Sequence, residues 1–312
     1  MPVEVRTQFP DLYFDTQLPA LNKLTNKEYD LFPTQYTNYF NVSNSTRSIE
    51  QDTGVGDIGL LVQVDENGKV QYDQLQPSFK KTYTHLDYNR GYSLSHQLQR
   101  DDQFGLAAAH AKGLGRSGRI TPEILAASHF LNGFTSGYTG PDGVVLFSTA
   151  HPKESGGSQS NRPTSGVDLS IFALENALTS MRGLTSDKGK LLMLPPDELV
   201  VPPALEFRAA EILGGTMRSD TANNTINAFR QRSDMGAFTK WSVWDYVAAA
   251  PRAWYVKAKT SLTGLRLIWR EKPVLFSHLE FENRAMKNAL WMAVSSGWSF
   301  WQGLYGSPGG GS

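Results

Sequence analysis

VVLFSTAHP at residues 144–152, an apolar-patterned run at 169–184 and KLLMLPPDELVVPPALEFRAAEIL at 190–213 decide the fold. The first reads as a strand that leads into a loop rich in Gly, Ser and Asn. The second carries Leu169, Phe172, Ala173 and Ala177, with Leu174, Leu178 and Met181 one step round the helix. So broad an apolar face predicts a helix buried against a sheet. The third supplies that sheet with two short apolar strands, 191–194 and 199–201, separated by a Pro195-Pro196-Asp197 turn. It then starts a proline-led helix in which Leu205, Ala209, Ile212 and Leu213 recur at i, i+4, i+7 and i+8, so a second helix lies on the same sheet.

Downstream, residues 214–240 are rich in Gly, Thr, Asn and Ser and predict a long loop. All seven tryptophans follow it: Trp241, Trp244, Trp254, Trp269, Trp291, Trp298 and Trp301. Their simplest role is to fill strands such as 265–269 and 290–294. The closing SPGGGS, 307–312, predicts a flexible tail. Upstream, residues 93–112 predict a helix that stops at Gly113-Leu114-Gly115, and Thr121-Pro122 restarts one. Threonine caps well, and proline in the first helical position loses no hydrogen bond. Ile124, Ala127, Ser128 and Leu131 form the packing face, and Asn132-Gly133 ends the helix.

Nearer the N-terminus the period changes to two. Leu60, Val62 and Val64 alternate with Gln63 and Asp65, Asn67-Gly68 follows, and Val70 and Tyr72 alternate with Gln71 and Asp73. Asn-Gly between alternating runs predicts a type I′ hairpin. Two strands alone are marginal in water, so this hairpin needs a surface to lie on. Residues 1–53 hold Pro2, Pro10, Pro19 and Pro33 and no sustained period, which predicts an extended arm with a short helix near 25–32. Phe9, Leu12, Tyr13, Phe14, Tyr36, Tyr39 and Phe40 give the arm apolar anchors.

Composition narrows the function. Thirty basic and thirty acidic residues cancel, so the chain lacks the broad positive field of a dedicated nucleic-acid binder. Charged residues make up 19%, below the usual quarter, which leaves neutral surface suited to subunit contacts. The absence of cysteine excludes disulfides and thiolate metal sites. No signal-peptide or membrane-spanning apolar run occurs, which predicts a soluble, non-secreted protein with no membrane partner.

Chemical motifs are weak. Gly54-x-Gly56-x-x-Gly59 and Gly113-x-Gly115-x-x-Gly118 match dinucleotide spacing, but neither sits between a strand and a helix, so both read as turns. Ser148 and His151 invite a nucleophile-and-base reading, yet no nucleophile elbow surrounds Ser148, and Pro152 marks a strand end. His85, His96, His110, His129 and His278 are scattered, without a ligand pair. The expectation is no catalytic residue, no cofactor and no metal.

In this order, Tyr83-Thr84-His85, Gly91-Tyr92-Ser93-Leu94, Asp101-Asp102, PEILAASHFLNGF (122–134), LFSTAHP (146–152), the Asn161 loop, Lys188-Gly189-Lys190, LVVPPALEFRAAEIL (199–213), Ala253-Trp254-Tyr255, Gly264-Leu265, Phe281-Glu282-Asn283 and WQGLYGS (301–307) resemble the major capsid protein of tailed bacteriophages. Where that family more often has a basic residue after the closing Trp, this chain has Gln302. The resemblance implies the Hong Kong-phage-type shell fold of the α+β class. It implies an N-terminal arm (1–53), an extended hairpin loop (54–92), a peripheral domain (93–168 with strands at 261–295), a central domain (169–260) and a return to it with the tail (296–312). It also implies many copies of the chain as hexamers and pentamers in an icosahedral shell, with portal, scaffolding and decoration proteins as partners. Genomic DNA would lie on the inner face, held without sequence preference, in a head assembled in the host cytoplasm. In that family the extended loop reaches over a neighbouring subunit, which makes Leu60, Val62, Val64, Asn67, Gly68, Val70 and Tyr72 the candidate intersubunit contacts. The alternatives are the shell of a non-viral nanocompartment with the same fold, and a serine-type hydrolase using Ser148 and His151.

Overall fold

The computed structural model describes residues 10–66, 68–75, 77–101, 105–217, 226–230 and 238–310. It opens with a helix where the sequence predicts an extended arm: α1 (Pro10–Leu31) runs through Pro19. Strands β1 (Asn41–Asn44), β2 (Ile49–Val55), β3 (Pro77–Thr84) and β4 (Leu86–Leu94) follow, then the short α2 (His96–Asp101). Next comes α3 (Leu106–Leu131), one continuous helix and not two.

The glycines that predicted a break explain why α3 continues and why α1 is helical. A Cβ at Gly115 would overlap the Thr25 carbonyl oxygen, and one at Gly118 would strike Leu290. The second dinucleotide-like match is therefore no turn but a shallow seat in α3 where the α1 backbone lies close. Leu21 of α1 is buried there with Ala111, Leu94 and Met286. Tertiary contact outweighs the low helix propensity of glycine. Thr121, read as a cap, donates its hydroxyl to the Ser117 carbonyl inside the helix (2.8 Å).

After α3 the chain is irregular. The VVLFSTAHP run forms no strand except β5 (His151–Pro152), paired with β6 (Ser158–Gln159), although Leu146 and Phe147 are fully buried. α4 (Ile171–Arg182) starts where predicted, with the Ser170 hydroxyl accepting the Ala173 N–H (3.2 Å). Leu174, Ala177, Leu178 and Met181 are buried, whereas Phe172 points outward. Residues 191–194 are not a strand: Leu191 and Met193 are exposed, and Met193 has φ 49°. The strand is β7 (Pro196–Val201), followed by α5 (Glu206–Gly214), β8 (Trp241–Val243), β9 (Trp254–Ala258), β10 (Leu265–Leu279), β11 (Met286–Trp298) and β12 (Leu304–Ser307).

Two four-stranded sheets organise these elements. One has the order β1-β10-β11-β4, with the long β10–β11 antiparallel ladder at its centre and α3 packed on it. The other has the order β12-β9-β7-β8 and carries α4 and α5. Both contribute to one aromatic core in which Tyr36, Tyr39, Phe40, Phe130, Phe147, Trp244, Tyr255, Trp298 and Trp301 are buried together. The tail is held further than predicted: Ser307 belongs to β12, and the Gly310 N–H donates to Asp168 (2.9 Å).

The α1–α3 seat can be tested by adding single methyl groups. Gly115→Ala should destabilise the subunit by about 1–3 kcal/mol through forced separation of α1 from α3. Gly113→Ala, whose Cβ meets nothing within 4 Å, should stabilise it by roughly 0.5–1 kcal/mol; urea unfolding of the two variants measures both.

His129 supplies a pH test. It is packed between Phe40 and Trp298, with Nε2 2.8 Å from Ser296 Oγ. Desolvation, with the Lys81 charge adding to it, holds its pKa down at about 4. The folded state therefore prefers the neutral ring, so stability from this group is complete above about pH 6.5 and is lost as pH falls through about 4. The loss by pH 4 is on the order of 3 kcal/mol, and His129→Gln should flatten the stability curve across this window.

Candidate assembly surfaces

The extended loop is built on β2 and β3, which pair from Ile49↔Thr84 to Val55↔Pro77 with an irregularity after Thr53. The ladder thus lies one step before the hairpin predicted from the alternation. Residues 57–64 and 68–75 form no strand. The Gly68 N–H instead closes a turn onto the Asp65 carbonyl (2.8 Å); Asn67 lies outside the described residues. The physical reason is the one that limits any lone hairpin: in the single chain this loop has no sheet or helix beneath it.

Its apolar side chains stand in solvent. Leu60, Leu61, Val62, Val64, Val70 and Tyr72 are all exposed, Leu61 and Tyr72 almost completely, and Ile58 and Leu75 join them. The two-faced pattern read from the sequence is lost, since Leu61 and Val62 are both open to water. The loop base is fastened to the chain's own Lys188-Gly189-Lys190 turn, with Lys190 Nζ 2.6 Å from Asp57 and Lys188 Nζ 3.2 Å from Asp73. The Lys190 hydrogen bond holds the Asp57 carboxyl below its ordinary pKa. For Asp73 the Gly59 N–H contributes most and Lys188 next.

Ser148 and His151 occupy a different place. His151 is fully buried, with Nδ1 2.6 Å from Asp142 Oδ2, Nε2 3.1 Å from Asn161 Oδ1, and its ring stacked on Trp301 at 4.2 Å. Asn161 is the hub: its amide donates to the Leu146 carbonyl, its Oδ1 accepts the Ser148 N–H, and its carbonyl accepts the Gly306 N–H. The Ser148 hydroxyl accepts from the Ala150 N–H (3.1 Å). Both ring nitrogens of His151 therefore face groups other than Ser148, and the cluster ties the irregular 144–152 run to the closing strand. Sequence reading singled out His151 but not its buried partner Asp142, nine residues earlier in a Gly/Pro turn. Among the described residues no group of His, Asp and Glu is arranged to hold a metal, and no helix is long and apolar enough to cross a membrane.

These surroundings separate two residues that the sequence treats alike. Ser148→Ala should cost about 1 kcal/mol or less, one hydrogen bond. His151→Ala should cost roughly 3–5 kcal/mol, because it leaves the Asp142 carboxylate, 4% exposed, buried without its partner; thermal unfolding of the two variants compares them.

A family model described as phage capsid protein matches residues 79–307. No curated protein matches. Among solved structures, the chain is similar to one from the capsid of bacteriophage JBD30 decorated with minor capsid protein trimers, with TM-score 0.54 and 15% identity, over 69% of this chain and 91% of that one. It is similar to a chain of Microbacterium phage Oxtober96, with TM-score 0.55 and 9% identity over 89% and 96% of the two chains. It is also similar to the virus-like particle from Pyrococcus furiosus, with TM-score 0.53 and 10% identity over 93% and 98%. At these identities the structural likeness establishes the fold, the Hong Kong-phage-type α+β shell fold. The family match spans most of the sequence, and by it the chain belongs to the phage capsid protein family, as a structural subunit of the shell.

Proposed function

We propose that this subunit builds the icosahedral head of a tailed bacteriophage around double-stranded DNA, and that its extended loop lies on a neighbouring copy. The observation that carries this reading is the loop itself: Leu60, Leu61, Val62, Val64, Val70 and Tyr72 stand exposed on a segment without a surface of its own. Burying such side chains releases roughly 25 cal/mol per Å², and repeating the contact by symmetry gives a shell its strength. Val62, Gly68 and their neighbours act in this reading as contact residues; Asn67 shares the loop. Portal and scaffolding proteins would complete assembly in the host cytoplasm. A decoration protein is supported by the minor capsid protein trimers on the JBD30 capsid. The likeness to the Pyrococcus furiosus particle favours a second reading, a non-viral compartment with protein cargo. Electron microscopy of purified particles, with assay of their nucleic acid, separates the two: particles carrying DNA support the head, and particles filled with protein alone support the compartment.

The loop reading makes a mutational prediction. Val62→Asp should leave the melting temperature of the unassembled subunit unchanged, since the side chain is exposed there. It should abolish particle formation on gradients, since a carboxylate buried at an interface without a partner costs several kcal/mol. Normal particle yield from this variant would remove the loop from the intersubunit contact.

A further inference from the structure

At the far end of β2 from the loop lies a groove of about 520 Å³ walled by Ser45, Arg47, Glu50, Trp269, Arg270 and Lys272. Three cations line it against one carboxylate. That carboxylate is already engaged, with the Ser45 hydroxyl 2.5 Å and Arg47 3.8 Å from Glu50. Arg270 and Lys272 are exposed, and neither pairs with a carboxylate among the described residues. They stand where β1 has ended and β10 continues without it, since β1 covers only Arg266 to Trp269.

The extended loop carries the complementary charge. At its turn Asp65 and Glu66 outnumber the one cation, Lys69; the two carboxylates are exposed and without an ion pair among the described residues, flanked by the apolar side chains already described. The chain's own loop does not fill its own groove. β2 leads away from the groove for about 20 Å, and Asp57 and Asp73 fasten the loop base to the 188–190 turn at the other end. Donor and acceptor thus lie at opposite ends of one ladder, a head-to-tail arrangement that closes into a ring when the rotation between copies closes.

We propose that the Arg47–Arg270–Lys272 groove is the seat for the acidic loop tip, Asp65-Glu66, of a second copy of this chain. The proposal rests on the shell reading above, and it adds the receiving surface and the ionic character of the contact. Raising salt from about 0.1 M to 1 M, which shortens the screening length from about 10 Å to 3 Å, weakens this contact.

The native chain has no cysteine, which permits a direct test. A Glu66→Cys chain is mixed with a Lys272→Cys chain under oxidising conditions, in solution and under assembly conditions. The expected result is an interchain disulfide between the two, reduced severalfold at 1 M salt, and none when Lys272→Cys is replaced by Lys112→Cys on the exposed side of α3. In parallel, Asp65→Lys/Glu66→Lys and Arg270→Glu/Lys272→Glu should each cut particle yield at least tenfold, and the two combined in one chain should restore it. Particles that form without the disulfide between positions 66 and 272, or charge reversals that assemble at wild-type yield, overturn the proposal and leave the shell reading standing. A disulfide formed where no particle ever appears upholds the contact and removes the shell.

Discussion

The aromatic joint around Phe130 holds the subunit together. Phe130, at the end of α3, meets Tyr255 of β9 edge-on at 5.0 Å and Trp244 at 5.2 Å, and the Tyr255 hydroxyl donates to the Phe130 carbonyl. Burial pushes the Tyr255 phenol above its ordinary pKa, so it stays a neutral donor. Tyr39 stacks on Trp244 at 4.3 Å from the N-terminal side. One cluster therefore joins the N-terminal segment, the long helix and both sheets. Aromatic pairs of this kind add about 0.5–1.5 kcal/mol each beyond the area they bury, and interiors packed this closely transmit displacement instead of absorbing it.

Around that joint, polar groups set the path of the chain where no ladder does. Glu123 on α3 accepts the N–H groups of Gln35 and Tyr36 at 2.6 and 3.0 Å, which turns the chain from α1 toward β1. Asn161 does the same for the 144–152 run, and His151 with Asp142 and Trp301 closes it. Backbone groups in a buried irregular segment need such partners, because unpaired they cost as much as a lost hydrogen bond or more. These two irregular segments find such partners within the chain. The extended loop contrasts with them, since its apolar side chains stand exposed among the described residues.

Much of this was legible in the residues. The buried face of α4, the α5 face of Ala209, Ile212 and Leu213, the end of α3 at Asn132-Gly133, and strands at 265–269 and 290–294 follow from periodicity and capping, which act over a few residues. The ordered motifs from Tyr83 to Ser307 pointed to the capsid family, and the family match covers the same span.

Tertiary structure decided the rest. Gly113, Gly115 and Gly118 break a helix by local propensity, yet they sit inside α3, where the missing side chains of Gly115 and Gly118 let α1 and β11 approach it. Residues 10–31 have no clear period, and their helix is held by packing on that same seat. The alternation at 60–72 signals strands, but strands need a partner edge and a surface, and a single chain offers the loop neither. His151 is one histidine among six in the sequence; only folding places Asp142, Asn161 and Trp301 around it. Local pattern determined which segments could be regular and which faces were apolar, whereas close approach between distant segments decided which became so, because contact energies between elements exceed the fractions of a kcal/mol by which propensities differ.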